Sequence, residues 1–152
     1  MGKETGGSAK PSAFNVTRRV KWGDCDPAGI IYTPRVLDYA METLEAWNRE
    51  VLGVPWMKLN WEMSMGWPTV RAELDFLAAP APDEDVVTEL RVEQVGRSSI
   101  TFLITGDDGN GRAFFRVKVT SCLISRPAFK PTPIPKSLLE RIHDYRKVCG
   151  EA

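Results

Sequence analysis

Histidine is almost missing from this chain, and neither charge is in surplus. His143 is the single histidine, and 20 Lys and Arg residues balance 20 Asp and Glu residues to a formal charge of zero. Any histidine-dependent triad would have to be built around His143, which stands in a charged C-terminal segment and reads as a surface residue. A nucleic-acid binder carries a basic excess or a basic face, and neither is evident, so no nucleic-acid partner is expected. Cysteine is also sparse. Cys25, Cys122 and Cys149 are odd in number and widely spaced, which gives neither a disulfide framework nor a paired metal motif, and no metal site is expected. No run approaches the roughly eighteen apolar residues of a membrane span. Met1 to Lys10 is polar and glycine-rich, without the apolar centre of a signal peptide, so the chain reads as cytoplasmic with no membrane partner.

What is present is enough for one domain with a real core. The 152 residues are too few for two. Residues 1–12, rich in Gly, Ser and Lys, read as a disordered tail, and residues 13–152 as the domain.

The stretch from Trp22 to Pro34, WGDCDPAGIIYTP, organises the rest. It sets two carboxylates, two glycines and two prolines between an extended segment and the longest helix. Pro27 biases Asp26 to an extended or turn conformation, and Gly29 allows positive φ. Thr33 followed by Pro34 reads as an N-cap and first helical residue. A helix starting there points unpaired amides and a partial positive charge at the loop holding Asp26. A carboxylate facing amide donors suits attack or deprotonation beside oxyanion stabilisation; it suits equally well two aspartates that only cap a turn. The carboxylates flanking Cys25 raise its thiol pKa, which favours a small packed residue over a nucleophile.

Elsewhere, Val16, Val20 and Trp22 alternate as a strand over residues 15–22. Leu37, Ala40, Met41, Leu44, Trp47 and Val51 mark one face of a helix that Gly53 ends, with Asp38, Glu42, Glu45, Asn48 and Arg49 on its other sides. At about five turns the helix is long enough to cross a sheet of four or five strands, and is expected to be wrapped by it. Residues 55–67 are dense in Trp and Met, a composition that serves either as the roof of an apolar pocket or as core or subunit interface. Residues 69–76 alternate as a half-buried strand. Residues 86–95, 98–105 and 112–124 follow as strands, the last two joined by the hairpin signal DDGNG. The four prolines of residues 127–135 exclude regular structure there, and Leu138, Leu139, Ile142 and Tyr145 mark a short final helix. One strand, a helix and a four-strand meander describe an α+β domain with a mostly antiparallel sheet.

The residues Gly-Asp-Cys-Asp-Pro-Ala-Gly-Ile, between a first strand and a long helix, resemble the signature of the 4-hydroxybenzoyl-CoA thioesterase family. The similarity is densest from Val20 to Pro34 and continues as a pattern of strands and turns to about Arg126. It implies a hotdog fold, a five-stranded sheet wrapped around a long central helix, in a dimer or tetramer with active sites between subunits. It implies hydrolysis of an acyl-CoA or aroyl-CoA with no cofactor. Asp26 would be the nucleophile or general base, and the amide of Thr33 the oxyanion donor. Tyr32 and Trp67 would line the acyl pocket, and Arg97, Ser98, Arg126 and Lys130 would hold the CoA end, although solvated surface charge explains the basic residues as well. Two other classes fit less well. A non-catalytic acyl-CoA or acyl-carrier-protein binder has no need of Asp26, and a dehydratase of this fold needs a histidine beside a carboxylate.

Overall fold

The computed structural model describes residues 13–149; the tail assigned to residues 1–12 lies outside them. Strand β1 (Phe14–Arg19) leads through a single 3-10 turn, Trp22–Asp24, into the motif loop and then helix α1 (Thr33–Glu50). One turn of π-helical winding, Lys58–Glu62, precedes β2 (Met65–Gly66), β3 (Thr69–Phe76), β4 (Asp85–Val95), β5 (Ser99–Asp107) and β6 (Ala113–Cys122). Short strands β7 (Ile124–Ser125) and β8 (Lys130–Pro131) and helix α2 (Lys136–Cys149) complete the described chain.

The main sheet has five strands in the order β1-β4-β5-β6-β3, and every neighbouring pair is antiparallel. The expected four-strand meander is therefore three strands, β4-β5-β6. β3 lies beyond β6, so the chain from β3 to β4 crosses to the other side of the sheet. This placement explains a second departure. The alternation predicts a half-buried β3, yet only Leu74 in it is partly covered, and Val70 is 63% exposed. Alternation in sequence marks a strand, but burial needs something lying against it, and β3 is an uncovered sheet edge. The first strand also ends earlier than expected, at Arg19, and Trp22 is 80% exposed. Within the proline-rich segment, Lys130–Pro131 does form a short edge strand, pairing with β7; proline is tolerated there because an edge need not donate on both sides.

Helix α1 packs on the sheet through Val36, Tyr39, Ala40, Thr43, Leu44, Trp47 and Asn48. The buried stripe is rotated relative to the apolar pattern: Met41 is exposed and Leu37 half-buried, whereas Asn48 is inside. The Asn48 side-chain amide donates to the Leu44 carbonyl at 3.0 Å, which satisfies part of its polarity locally. The core around Trp47 includes Phe102 and Tyr145 in edge-on contacts with ring centroids 5.2 and 5.5 Å away. Tyr145 draws α2 against the domain by donating to the Leu90 carbonyl while accepting the Phe14 amide at 2.9 Å. His143 lies on the exposed side of α2. No helix among the described residues is long and apolar enough to cross a membrane.

Candidate active site

The motif loop closes on itself through main-chain bonds. Asp26 donates to the Ile30 carbonyl at 3.0 Å and accepts from the Gly29 amide at 2.9 Å, while Cys25 and Ile31 form an isolated antiparallel bridge. Gly29 sits at φ +79°, a conformation that costs glycine little. The Asp26 side chain enters the same turn, its Oδ1 accepting the Ala28 amide at 2.8 Å. One carboxylate oxygen is thus held by the loop. The carboxyl group borders a shallow cavity of about 260 Å³ with Trp22, Cys25 and Pro27.

The loop is also tied to the start of α1. The Tyr32 amide donates to the Asp24 carbonyl at 2.8 Å, and the Ile31 amide to the Pro80 carbonyl at 3.2 Å. Tyr32, not Thr33, occupies the capping position; Thr33 is the first helical residue and Pro34 the second, one residue from the expected boundary. No side chain caps this end, so the Thr33 amide has neither an intrahelical acceptor nor another acceptor among the described residues. The chain supplies a carboxylate and a free helix-terminal amide within eight residues of each other.

Asp24 is the buried member of the pair, 7% exposed. Its Oδ2 accepts the Tyr39 hydroxyl at 2.7 Å and the Lys21 amide at 3.1 Å, and Arg35 Nε lies 3.9 Å from Oδ1. Burial pushes its pKa up, but the bonds from Tyr39 and Lys21 and the charges of Arg18 and Arg35 outweigh that and hold it below the usual carboxylate value. Burial and the bond to Asp24 raise the Tyr39 hydroxyl, which stays protonated. Cys25 follows expectation: burial, then the charges of Asp24 and Asp26, raise its thiol pKa, and its Sγ donates to the Lys21 carbonyl at 3.6 Å. Nothing in the sequence singled out Tyr39; its place on the helix face is the only signal that could have done so.

The remaining predicted residues lie elsewhere. Arg97 and Ser98 follow β4, whereas the motif loop follows β1 beside the start of β4, through the Val20 amide bonded to the Glu84 carbonyl at 2.9 Å. Eleven residues of β4 separate the two places, roughly 35 Å at extended spacing. The Ser98 carbonyl accepts the Leu123 amide at 2.6 Å, and Leu123 directly precedes β7, where Ser125 pairs with Lys130 in a small second sheet, β2-β7-β8. Trp67 and Arg126 line a more apolar groove of about 480 Å³ with Trp56, Asn60, Ile124 and Phe129. There Arg126 stacks 4.4 Å over the Trp61 ring and donates to the Asn60 carbonyl at 2.9 Å. Trp56 also borders a cleft along the open side of α1 that reaches Arg35. Among the described residues no group of three His, Cys, Asp or Glu side chains could hold a metal ion.

Residues 20–142 match the Thioesterase-like superfamily, and the chain belongs to that superfamily. A thioesterase-superfamily protein from Jannaschia sp. CCS1 is 34% identical, with a TM-score of 0.81 over 88% of this chain and 92% of that one. A 1,4-dihydroxy-2-naphthoyl-CoA thioesterase from Synechocystis superposes with a TM-score of 0.80 at 21% identity, over 88% of this chain and 97% of that one. A hypothetical protein from Staphylococcus aureus, in complex with CoA, superposes at 0.87 with 12% identity, over 96% and 91%. No curated protein matches the sequence. The fold is the hotdog thioesterase-like one: an antiparallel five-stranded sheet on a central helix, with a C-terminal helix added.

Proposed function

We propose that this protein is a thioester hydrolase acting on acyl-CoA or aroyl-CoA. The observation that carries this is the loop geometry: a carboxylate with one oxygen fixed by the Ala28 amide, in a loop hydrogen-bonded to a helix start whose first amide is unfilled. A thioester carbonyl at that helix start would have its developing negative charge met by the Thr33 amide, which the helix dipole reinforces. Asp26 would act in one of two ways. As nucleophile it forms a mixed anhydride and expels the CoA thiolate, and water then cleaves the anhydride. As general base it takes a proton from the attacking water, and that proton ends on the leaving thiolate. Both routes consume one water and yield a carboxylic acid and free CoA.

The distance between the Asp26 loop and Arg97 supports a site shared between two copies. The uncovered edge β3 carries exposed Val70 and Phe76, with Leu77 just beyond, and exposed Met41 of α1 meets the start of this strand, its sulfur 4.0 Å from the Thr69 hydroxyl. Antiparallel pairing of two β3 edges would cover the strand and bring the far end of the partner's sheet toward this loop. In that arrangement Tyr32 and Trp67 would line the acyl channel, and Arg97, Ser98, Arg126 and Lys130 would hold the CoA phosphates. The aromatic walls suit an aryl or medium-length acyl group. The CoA complex of the Staphylococcus aureus relative and the naphthoyl-CoA activity of the Synechocystis one are in keeping with such a substrate.

The test is thiol release from a panel of benzoyl-, phenylacetyl- and fatty acyl-CoAs. Asp26→Ala and Asp26→Asn are expected to lose about a thousandfold in kcat. Wild-type turnover in either variant would remove Asp26 from the mechanism, and tight acyl-CoA binding without turnover would make the protein a binder instead.

A further inference from the structure

We propose that the bond between the Asp24 carboxylate and the Tyr39 hydroxyl is a latch holding the Asp26 loop in fixed relation to the first amide of α1. Asp24 and Tyr39 are then positioning residues for thioester hydrolysis, an inference that rests on the hydrolase reading above.

Asp24 stands at the junction of the loop and the helix. Its main-chain carbonyl holds the Tyr32 amide, immediately before Thr33, and its own position is two residues before Asp26. A shift of Asp24 therefore moves both the carboxylate and the amide end of the helix. The side chain fixes that position from three directions: the Lys21 amide from the preceding turn, and Tyr39 and Arg35 from α1. Tyr39 lies nearly two turns into the helix. Because helical side chains lean toward the N-terminus, its ring reaches back to the loop instead of out to solvent.

Tyr39 is itself braced. The Arg18 guanidinium lies 4.2 Å from its ring centroid, and Arg18 is paired with Glu42 on the same helix. The phenol is thus held between β1 and the sheet-facing side of α1, with its hydroxyl aimed at Asp24. An apolar side chain would fill the volume of Asp24 without the cost of burying a carboxylate. The contacts it makes are directional, and direction is what a loop presenting a reactive group at one distance from an amide requires. Thr43, one helical turn further on, supplies a comparison within the same element. Its hydroxyl is equally buried and meets Thr88 at 2.6 Å, but it makes no bond to the loop.

Three measurements test the latch: kcat and KM on the best CoA thioester, thermal stability, and amide hydrogen exchange over residues 22–33. Tyr39→Phe keeps the ring and its contact with Arg18 and removes only the hydroxyl. It is expected to lower kcat about tenfold to a hundredfold with KM within about threefold, and to speed exchange in the loop. Thr43→Val should cost stability while leaving kcat and loop exchange at wild-type values. Asp24→Asn still accepts both hydrogen bonds through its carbonyl oxygen and should retain kcat within about threefold, whereas Asp24→Ala, which also loses the Lys21 and Arg35 contacts, should fall at least to the level of Tyr39→Phe. Adding Tyr39→Phe to Asp24→Ala should cost little more, because the bond to Tyr39 is already gone. Wild-type kcat and unchanged loop exchange in Tyr39→Phe would overturn the latch alone. A wild-type protein that turns over no CoA thioester would instead overturn the hydrolase reading and, with it, the catalytic role of the latch.

Discussion

At the start of β4 the candidate chemistry is held by main chain, and beyond the end of β4 the candidate binding surface is held by side chains. The Asp26 loop is fixed by amide–carbonyl bonds at 2.8–3.2 Å and one Asx turn. The other end depends on aromatic walls, with Arg126 lying across Trp61 and tied to the Asn60 carbonyl. At the first end the main chain sets direction, and a few side chains, Asp26 with Asp24 and Tyr39 behind it, carry the function. At the second end side-chain shape decides. Changes are therefore expected to appear in kcat at one end and in KM at the other.

The largest loss is expected where the two ends are kept from meeting. Charged edges blunt strand pairing, so Val70→Lys combined with Phe76→Lys should yield a folded monomer with turnover reduced at least about a hundredfold. Sedimentation velocity alongside the CoA panel checks this, and a fully active monomer would mean that one chain holds the whole site. The backbone rule at the loop end is sharpened by two variants at one position. Thr33→Ala leaves the amide in place and should stay within about threefold of wild type. Thr33→Pro removes the donor at a position where a helix accepts proline, and should lose about a hundredfold in kcat. Equal rates for the two would dissociate oxyanion binding from this amide.

The side-chain end should respond in KM instead. Arg126→Ala is expected to raise KM for the CoA substrate about tenfold with kcat little changed, the pattern of lost uniform binding. Trp61→Ala should do the same more weakly. A kcat effect larger than the KM effect in either would place the groove in the chemistry.

The smallest expected effect is on acid stability. Asp24 is held below its unfolded pKa, so its ionised form adds stability above about pH 4 and that contribution is lost as pH falls through the lower folded value. The stability gap between wild type and Asp24→Asn should therefore narrow from pH 5 to pH 2, measured by urea unfolding. A gap that widened toward acid would reverse the sign.

Much of this was legible in order along the chain. Asp26, Gly29 and the helix beginning at Thr33 lie within ten residues, so their turn chemistry is written locally. The buried face of β6, Phe115, Val117, Val119 and Ser121, follows the expected period of two and runs on to Leu123 just past the strand, with Phe114 buried besides. What was not legible depends on distant partners. Trp22 continues an alternating pattern but has no second layer to cover it, and β3 alternates like its neighbours yet pairs with β6 at the edge of the sheet. Asn48 is polar and belongs by pattern on the outside of the helix, yet it lies inside with its amide bonded to the Leu44 carbonyl.

Covalent structure alone sets which groups exist to do chemistry here: two carboxylates, a proline-marked helix start, one remote histidine and no clustered thiols. Such identities follow from covalent structure and short-range backbone preferences, and no folding can alter them. The folded arrangement alone set Tyr39 against Asp24, left β3 as an open edge, and put Arg97 beyond the far end of β4 from the Asp26 loop. Those relations join residues far apart in the chain, and the physical reason is that packing and strand order, not local propensity, select which distant surfaces meet.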